Sequence, residues 1–394
     1  SLAVPKKPAD KVDWTLSLLL LLLFIVSCAA IYSAQTSGQY VENFLLKQIF
    51  WYVVGIFIII TVMQFDSDQY KRLSWYIYGF GLFLLVLLVI APEAIAPVRN
   101  GAKSWFIIPG IGSIQPSEFV KTFVILALSK VIYTHNSHYL DKTLRTDWYL
   151  FFKMAATTAV PLGLIMLQPD LGTSLVIIAI FTGILLVSGI SWKIITLIYG
   201  TGTILAGTIM YFVIWAPEIL EKYLKVRPYQ FERIYSWLDP ANHQSTSGYH
   251  LDKSLKAIGS GLITGKGLGD REVYIPESHT DFIFSVIGEE YGFVGGSLVI
   301  GIYFLLIYHL TRTALDSKEP FNAYICAGVI SMLTFHVFQN IGMTIQVLPI
   351  TGIPLPFISY GGSSLMGNML AMGLIFGIRY HYKNFLFGSE SKYS

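Results

Sequence analysis

The chain has 394 residues, of which 54% are hydrophobic and only 13% are charged. Ordinary soluble domains carry roughly 25% charged residues, so this composition excludes that class and indicates a membrane protein. The formal net charge of +3 is small and is not gathered into a basic patch, which excludes nucleic acid as a partner. Cys28 and Cys326 lie within apolar runs and are typical of small buried hydrophobic residues.

Ten segments are apolar and long enough to cross a bilayer, which takes about 20 mostly apolar residues. The fourth is the weakest, because it contains Glu118 and Lys121. No small-residue cleavage site follows the first, so it is interpreted as a span and not as a signal peptide. The sequence predicts an all-α polytopic membrane protein, a single integral membrane domain over 1–394, with spans near 14–34, 47–64, 74–91, 117–133, 150–167, 171–189, 193–215, 282–310, 321–345 and 363–380.

The distribution of Lys and Arg predicts the orientation of these spans. Most of them fall on the side of the N-terminus, whereas the short segments on the other side hold only Lys47, Arg99 and Lys103. Positive residues concentrate in cytoplasmic loops, so both termini are predicted to be cytoplasmic. Three longer features then face outward: 92–116, the large extracellular loop 216–281, and the Pro/Gly-rich stretch 346–362.

A polar cluster opens the fourth span. Lys103 and Trp105 precede it, and Glu118 and Lys121 lie three residues apart, where they share a helix face and can pair. Two interpretations stay open. The pair is either a neutralised packing element or the polar lining of a cavity in which Lys103 meets an anionic group. Asp170 leaves a similar choice, between a cap for the helix that follows and a part of the same cavity wall.

The large loop carries Arg227 and Arg233 and then a glycine-rich run over 259–269. Such a run predicts tight turns or close approach of the backbone to a neighbour. It lacks the spacing of a Walker loop, so it does not predict nucleotide binding. No cluster of metal ligands is apparent, although a divalent cation such as Mg²⁺ remains a possible cofactor.

Asp281 lies where the large loop ends and an apolar helix begins, two residues after His279. One interpretation is an acid stabilised by the backbone N–H groups of a helix N-terminus. The other is a general base that accepts a proton from an attacking hydroxyl at the membrane surface. His279 either orients this acid or bonds the nearby backbone.

The stretch 349–364 contains three prolines and ends in Ser359-Tyr-Gly361-Gly362-Ser-Ser364. Irregular backbone at membrane depth is tolerated only where it is buried in protein or lines a water-filled cavity. This stretch therefore predicts either the wall of a site or a fixed packing element.

Five blocks together resemble the SEDS family (shape, elongation, division and sporulation), and within it the RodA branch more than the FtsW branch. They run in family order: Asn100-Gly-Ala-Lys-Ser-Trp105, Gln115-Pro-Ser-Glu-Phe-Val-Lys121, Gln168-Pro-Asp-Leu-Gly-Thr173, Pro276-Glu-Ser-His-Thr-Asp-Phe282 and the signature over 340–364. The resemblance implies ten spans with cytoplasmic termini. It also implies polymerisation of lipid II into glycan strands outside the cytoplasmic membrane, beside a class B penicillin-binding protein.

Within that resemblance, Asp281 matches the residue that is essential in the family's large outer loop, and the positions of Trp105, Glu118 and Lys121 are functionally sensitive. It implies an inverting displacement at the lipid-linked sugar, with Asp281 as the general base. Lys103, Lys121, Arg227 and Arg233 are candidates to stabilise the leaving diphosphate. Two rival functions remain: a flippase for the same lipid, and a scaffold that recruits the transpeptidase.

Overall fold

The computed structural model describes residues 11–36, 41–99, 101–110, 112–224, 231–243 and 246–388. These residues form thirteen helices and one two-stranded hairpin. In chain order the elements are α1 (Trp14–Thr36), α2 (Phe44–Val62), α3 (Ser67–Ile90), β1 (Phe106–Ile108), β2 (Gly112–Ile114), α4 (Pro116–His138), α5 (Leu144–Met166), α6 (Leu171–Val187), α7 (Trp192–Trp215), α8 (Pro217–Leu224), α9 (Glu232–Leu238), α10 (Thr246–Ser260), α11 (Ile283–Asp316), α12 (Pro320–Thr344) and α13 (Gly362–Gly388).

Each of the ten predicted spans coincides with a helix. Seven of the described helices are long and apolar enough to cross a bilayer: α1, α2, α3, α5, α7, α11 and α12. The other three predicted spans fall on α4, α6 and α13; α6 has only 17 residues, and α4 carries buried charges. The fold class is confirmed, whereas the number of crossings and the side of each terminus stay predictions.

Several helices begin earlier than their apolar runs. The chain starts α3 at Ser67 and not near 74, because Asp66 and Gln69 form a capping box. The Asp66 carboxylate accepts from the backbone N–H of Gln69 at 2.8 Å, and the side-chain oxygen of Gln69 accepts from the backbone N–H of Asp66 at 2.9 Å. These bonds satisfy orphan N–H groups of a polar first turn, which a search for apolar runs does not detect.

The centre of the bundle is formed by α4 and α12. Helix α12 packs against α4, α6 and α11, and α4 also packs against α3, α5 and α13. Polar side chains on these two helices therefore face protein and not lipid. By contrast, α7 lies at the edge of the bundle, and only 6% of its most apolar stretch is buried inside the protein.

Helix α11 is kinked at Gly292, whose φ is +61°. The kink breaks the helical ladder, and the glycine loop (261–275) replaces it. The N–H groups of Phe293 and Val294 donate to carbonyls of this loop at 2.9 and 3.1 Å, and loop N–H groups donate to the carbonyls of Glu289 and Glu290 at 3.0 and 2.9 Å. The loop thus satisfies the backbone groups that the kink leaves unpaired.

The close approach predicted for the glycine-rich run occurs at this kink. A Cβ atom on Gly292 would lie 2.5 Å from the backbone nitrogen of Gly265, and one on Gly265 would lie 2.1 Å from the Glu290 carbonyl oxygen. Gly265 also has a φ of +80°. Only glycine permits both the backbone angle and the contact.

The segments predicted to face outward contain short elements that the sequence did not predict. Segment 92–116 includes the antiparallel hairpin of β1 and β2, in which Phe106 pairs with Ile114. The loop over 216–281 contains α8, α9 and α10, and α10 packs on α11 and α12.

Candidate active site

Asp281 lies at the end of the large loop, one residue before the N-cap of α11. Its backbone carbonyl accepts from the Asn340 amide at 2.8 Å. Its carboxylate Oδ2 lies 3.4 Å from the point where a Cβ atom would stand on Gly352. Burial, followed by the charge of Glu277, raises the pKa of Asp281 to about 6. The acid is therefore half-buried, held through its main chain, and suited to accept a proton near neutral pH.

The stretch that faces Asp281, residues 346–361, is named here the proline segment. Three side chains of α12 donate hydrogen bonds to its carbonyls: Gln339 to Pro349 at 2.7 Å, Asn340 to Ile353 at 2.9 Å, and His336 to Pro354 at 3.1 Å. Proline has no N–H, so the segment has more carbonyls than it can satisfy itself. These α12 side chains supply the missing donors.

Donors from α1, α2 and α11 reach the other side of the proline segment. The Tyr303 hydroxyl donates to the Pro356 carbonyl, and the Tyr52 hydroxyl donates to the Phe357 carbonyl. Ser27 donates to the Ile358 carbonyl at 2.8 Å. The second half of the proline segment, residues 353–359, is thus largely buried within protein and held from both sides, as irregular backbone at membrane depth requires.

Ser359, Gly361 and Gly362 end the proline segment and begin α13. The Ser359 hydroxyl donates to the Thr280 carbonyl at 2.7 Å, which joins the segment to the turn before Asp281. The backbone N–H of Gly361 points to the side-chain oxygen of Gln48, with a long N–O distance of 3.5 Å. A Cβ atom on Gly362 would lie 2.6 Å from the Trp51 ring. In the structure all three residues hold the end of the segment against its neighbours. That any of them contacts substrate stays a prediction.

Glu118 and Lys121 form the ion pair that their spacing predicts, at 2.7 Å, with side chains only 6% and 1% exposed. The Lys121 ammonium also lies 3.0 Å from Nε2 of His336. The pair is therefore enclosed between α4 and α12, on the side of the proline segment away from α1 and α2.

Asp170 caps α6. Its carboxylate accepts from the Thr173 N–H at 3.0 Å and from the Thr173 hydroxyl at 2.7 Å, and Gln115 donates to it at 2.8 Å. A Cβ atom on Gly172 would lie 2.5 Å from the Ile353 side chain. The cap interpretation of Asp170 is confirmed, and the capped helix end packs directly against the proline segment; a place in a cavity wall stays a prediction.

Lys103 and Trp105 lie between α3 and β1. The Lys103 ammonium donates to the carbonyls of Val89, at 3.2 Å, and Ala91, where it satisfies the end of α3. Trp105 is partly buried immediately before β1. Lys103 thus has a helix-capping role, and contact with an anionic substrate stays a prediction for it.

The remaining candidates differ in what the structure shows. Arg227 lies outside the described residues. Arg233, on α9, makes a long 3.5 Å contact with the Ile350 carbonyl. The His279 ring stacks on Phe44 with centroids 4.3 Å apart, and burial lowers the pKa of the imidazole. His279 is thus held by ring packing.

Helix α9 is attached to the start of the proline segment by a reciprocal pair of bonds. The Trp237 indole donates to the Gln346 carbonyl at 2.9 Å, and the Gln346 amide donates to the Trp237 carbonyl at 2.9 Å. Gln346 has a φ of +65°, which is strained for a residue with a Cβ atom. The large loop is therefore fixed here to the same segment that faces Asp281.

A family model described as "Cell cycle protein", which covers FtsW, RodA and SpoVE, matches residues 10–384. The chain belongs to this family. The resemblance drawn from the five sequence blocks is thereby confirmed.

Several relatives in the FtsW/RodA/SpoVE family are named peptidoglycan glycosyltransferases. The chain is 34% identical to the "probable peptidoglycan glycosyltransferase FtsW" of Coxiella burnetii, over 94% of this chain and 95% of that protein. It is 32% identical to the "peptidoglycan glycosyltransferase MrdB" of Escherichia coli, over 95% of each chain. It is also 32% identical to RodA of Treponema pallidum, over 93% of this chain and 97% of that protein. These identities do not separate the two branches, so membership of the RodA branch stays a prediction.

Solved structures of the family have the same fold. RodA of Thermus thermophilus has a TM-score of 0.65 at 26% identity, covering 93% of this chain and 96% of that one. A chain of a peptidoglycan synthase complex that coordinates polymerization and crosslinking has a TM-score of 0.75 at 27% identity, covering 93% and 97%. With its seven long apolar helices, the chain is a multi-pass membrane protein.

The sequence interpretation missed the α12 residues that hold this family's signature segment in place. His336, Gln339 and Asn340 lie inside the predicted span 321–345, and each is buried. Polar residues within a span are functional candidates by default, and this signal was sufficient to select them. Their partners could not be inferred, because those depend on how the proline segment folds back.

Proposed function

We propose that the protein is a peptidoglycan glycosyltransferase that polymerises lipid II into glycan strands during cell elongation. The names of its relatives support the reaction class. The observation that carries the assignment within the molecule is Asp281. It is a half-buried carboxylic acid beside the proline segment, with its pKa raised to about 6.

In the proposed reaction the 4-hydroxyl of an acceptor GlcNAc attacks the anomeric carbon of the lipid-linked MurNAc. Asp281 accepts the hydroxyl proton as the new glycosidic C–O bond forms. The bond from the anomeric carbon to the diphosphate breaks, and undecaprenyl diphosphate leaves with the electron pair. The configuration at the anomeric carbon inverts, because the nucleophile and the leaving group occupy opposite faces.

The site is proposed to face outward from the cytoplasmic membrane, with both termini in the cytoplasm. The excess of Lys and Arg on the side of the termini supports this orientation. The large loop over 216–281 and the proline segment then lie on the outer face. There the sugars of lipid II meet Asp281, while its tail stays in the bilayer.

Charge on the leaving diphosphate has to be stabilised. Lys121 is enclosed with Glu118 and His336, so we assign it to shaping the site. Lys103, Arg227 and Arg233 remain the candidates for contact. The described part of the chain holds no group of three or more His, Cys, Asp or Glu side chains placed to bind a metal ion. We therefore propose that a divalent cation such as Mg²⁺ reaches the site on the diphosphate.

A class B penicillin-binding protein is the proposed partner. A structural neighbour of this chain is part of a peptidoglycan synthase complex that coordinates polymerization with crosslinking. Crosslinking belongs to a transpeptidase, and a polymerase without that activity needs one beside it.

The test is polymerisation of purified lipid II by the detergent-solubilised protein, alone and with the class B partner. Wild type is expected to form glycan strands, and Asp281→Asn is expected to lose a factor of roughly 10²–10⁴ in rate. Asp252→Asn is the matched control, because Asp252 lies in the same loop and only pairs with the exposed Lys256. Asp281→Asn with the wild-type rate would refute the general base. No product from wild type with the partner would favour a flippase or scaffold.

A further inference from the structure

His336 is a buried histidine on α12, 1% exposed, and both ring nitrogens have partners. Nε2 lies 3.0 Å from the Lys121 ammonium, and Nδ1 lies 3.1 Å from the Pro354 carbonyl oxygen. An ammonium can only donate and a carbonyl can only accept. The imidazole is therefore neutral, with its proton on Nδ1 and its lone pair on Nε2 directed at Lys121.

This tautomer makes His336 a bridge between two parts of the site. On one side is the buried ion pair of Lys121 with Glu118, separated by 2.7 Å. On the other is the proline segment at Pro354, two residues after Gly352, where an added Cβ atom would stand 3.4 Å from Oδ2 of Asp281. The ion pair lies within α4, and among the hydrogen bonds of the described residues only the imidazole joins it to the segment.

A second connection on the same face of α12 reaches Asp281 directly. Asn340 lies four residues after His336, so the two side chains share one helix face. Asn340 donates to the Asp281 carbonyl at 2.8 Å and to the Ile353 carbonyl at 2.9 Å. The adjacent carbonyls of Ile353 and Pro354 are thus held by adjacent turns of α12. A shift of Pro354 is therefore expected to move Ile353, whose carbonyl shares the Asn340 amide with the Asp281 carbonyl.

We propose that His336 is a positioning residue, which couples the Glu118–Lys121 pair to the proline segment and thereby fixes where the Asp281 carboxylate stands. The proposal rests on the proposed function. Catalytic groups must be held within a fraction of an ångström of the productive geometry. Losing the bridge should thus slow the chemical step without weakening substrate binding.

The test compares His336→Gln with His336→Leu in the lipid II polymerisation assay. Glutamine can donate to Pro354 and accept from Lys121, whereas leucine can do neither. We expect His336→Leu to lower kcat about tenfold with KM little changed, and His336→Gln to retain kcat within about threefold of wild type. If His336→Leu does not purify as a folded protein, His336→Met, which cannot donate to Pro354, takes its place.

A double-mutant cycle separates positioning from packing. In a Lys121→Met background the bridge is already broken, so His336→Leu should add little further loss in kcat. His135→Leu is the matched control, because His135 is also buried but lies on α4 about 21 Å from Lys121 along the helix axis. We expect it to leave kcat unchanged.

Four outcomes would overturn the proposal while leaving the proposed function intact. They are a wild-type kcat in His336→Leu, an equally slow His336→Gln, a loss confined to KM, and additive losses with Lys121→Met. Wild-type protein that makes no polymer with its partner would instead overturn the proposed function, and this inference with it.

Discussion

The proline segment and the glycine loop both lie against α11 without regular secondary structure of their own, yet they use opposite hydrogen-bonding partners. The proline segment offers carbonyls, and the side chains that bond it are donors: Gln339, Asn340 and His336 on α12, and Tyr303 on α11. The glycine loop exchanges backbone bonds with α11 in both directions, but the α11 side chains that bond it are buried carboxylates, which accept from its N–H groups.

Glu289 shows the acceptor side of this contrast. Its Oε1 atom accepts from the N–H groups of Glu272 and Val273 at 2.9 and 3.1 Å, and from the Lys266 ammonium at 2.9 Å. Glu290 accepts from the Gly269 N–H at 3.3 Å. The comparison teaches that the residue type of an irregular segment determines which side chains the neighbouring helix must carry. Carbonyl surplus calls for amides and hydroxyls, and N–H surplus calls for carboxylates.

Glu289→Leu should cause the largest loss of stability in either region. It leaves the backbone N–H groups of Glu272 and Val273 without their shared acceptor, at a cost of about 1–3 kcal/mol each, and the partly exposed Lys266 ammonium keeps only Glu272. Thermal unfolding in detergent measures it. Glu272→Gln is the control, because Glu272 pairs with the same ammonium at 3.0 Å but its side chain is 80% exposed. That pair should contribute less than about 1 kcal/mol, and equal losses in both variants would contradict the comparison.

Gly292→Ala tests whether the glycine loop needs its close approach to the kink. The new Cβ atom would meet the Gly265 backbone at 2.5 Å, and alanine is strained at a φ of +61°. We expect a loss of about 1–3 kcal/mol. Gly301→Ala, in the same helix with open space around it, should be neutral or stabilise by up to about 1 kcal/mol. If the two variants unfolded at the same temperature, the glycine loop would not need its close approach to the kink.

Asp281 faces the proline segment, and its pKa of about 6 predicts two pH effects. As general base it acts ionised, so the polymerisation rate should fall about tenfold per pH unit below 6. Because the folded pKa is raised above the unfolded value, the folded state binds more protons between about pH 4 and 6. The stability that this residue contributes is thus present at low pH and is lost as pH rises through 6.

Asp281→Asn should remove that loss and be more stable than wild type at pH 7.5, while it is inactive. Rate–pH profiles and unfolding temperatures at pH 5 and 7.5 check both effects. A variant that is less stable than wild type at pH 7.5 would show that the ionised carboxylate is not destabilised by burial.

Gln339→Leu should have the smallest effect of these changes. It removes one donor from the Pro349 carbonyl, which is held at 2.7 Å, and should cost about 1 kcal/mol. Gln64→Leu is matched to it, since Gln64 donates to the Ile60 carbonyl at 3.0 Å but is exposed. Water replaces the Gln64 donor, so denaturation should not detect that change.

The sequence predicted the long helices well because each apolar run is about as long as a bilayer core is wide. It placed the starts of helices less well, since the first turn of α3 is polar and begins at a capping box. The hairpin of β1 and β2 was missed because each strand has only three residues. Local sequence patterns therefore predict helices of several turns better than strands of three residues or the polar first turn of a helix.

The site was predicted in part. The motifs selected Asp281, Glu118, Lys121 and Asp170, and the structure places these around the proline segment. The α12 residues were not selected, because their hydrogen bonds join positions 10 to 18 residues apart across a segment without periodicity. Glu289 was likewise visible in the sequence, but its role follows from the kink at Gly292.

The reciprocal bonds between Trp237 and Gln346 have a consequence for exchange with water. The indole hydrogen is tied to a carbonyl at the start of the proline segment, so it exchanges with deuterium only when α9 lifts away from that segment. Its exchange rate therefore counts how often the large loop separates from the region around Asp281. A single tryptophan side chain thus reports how often α9 separates from the proline segment.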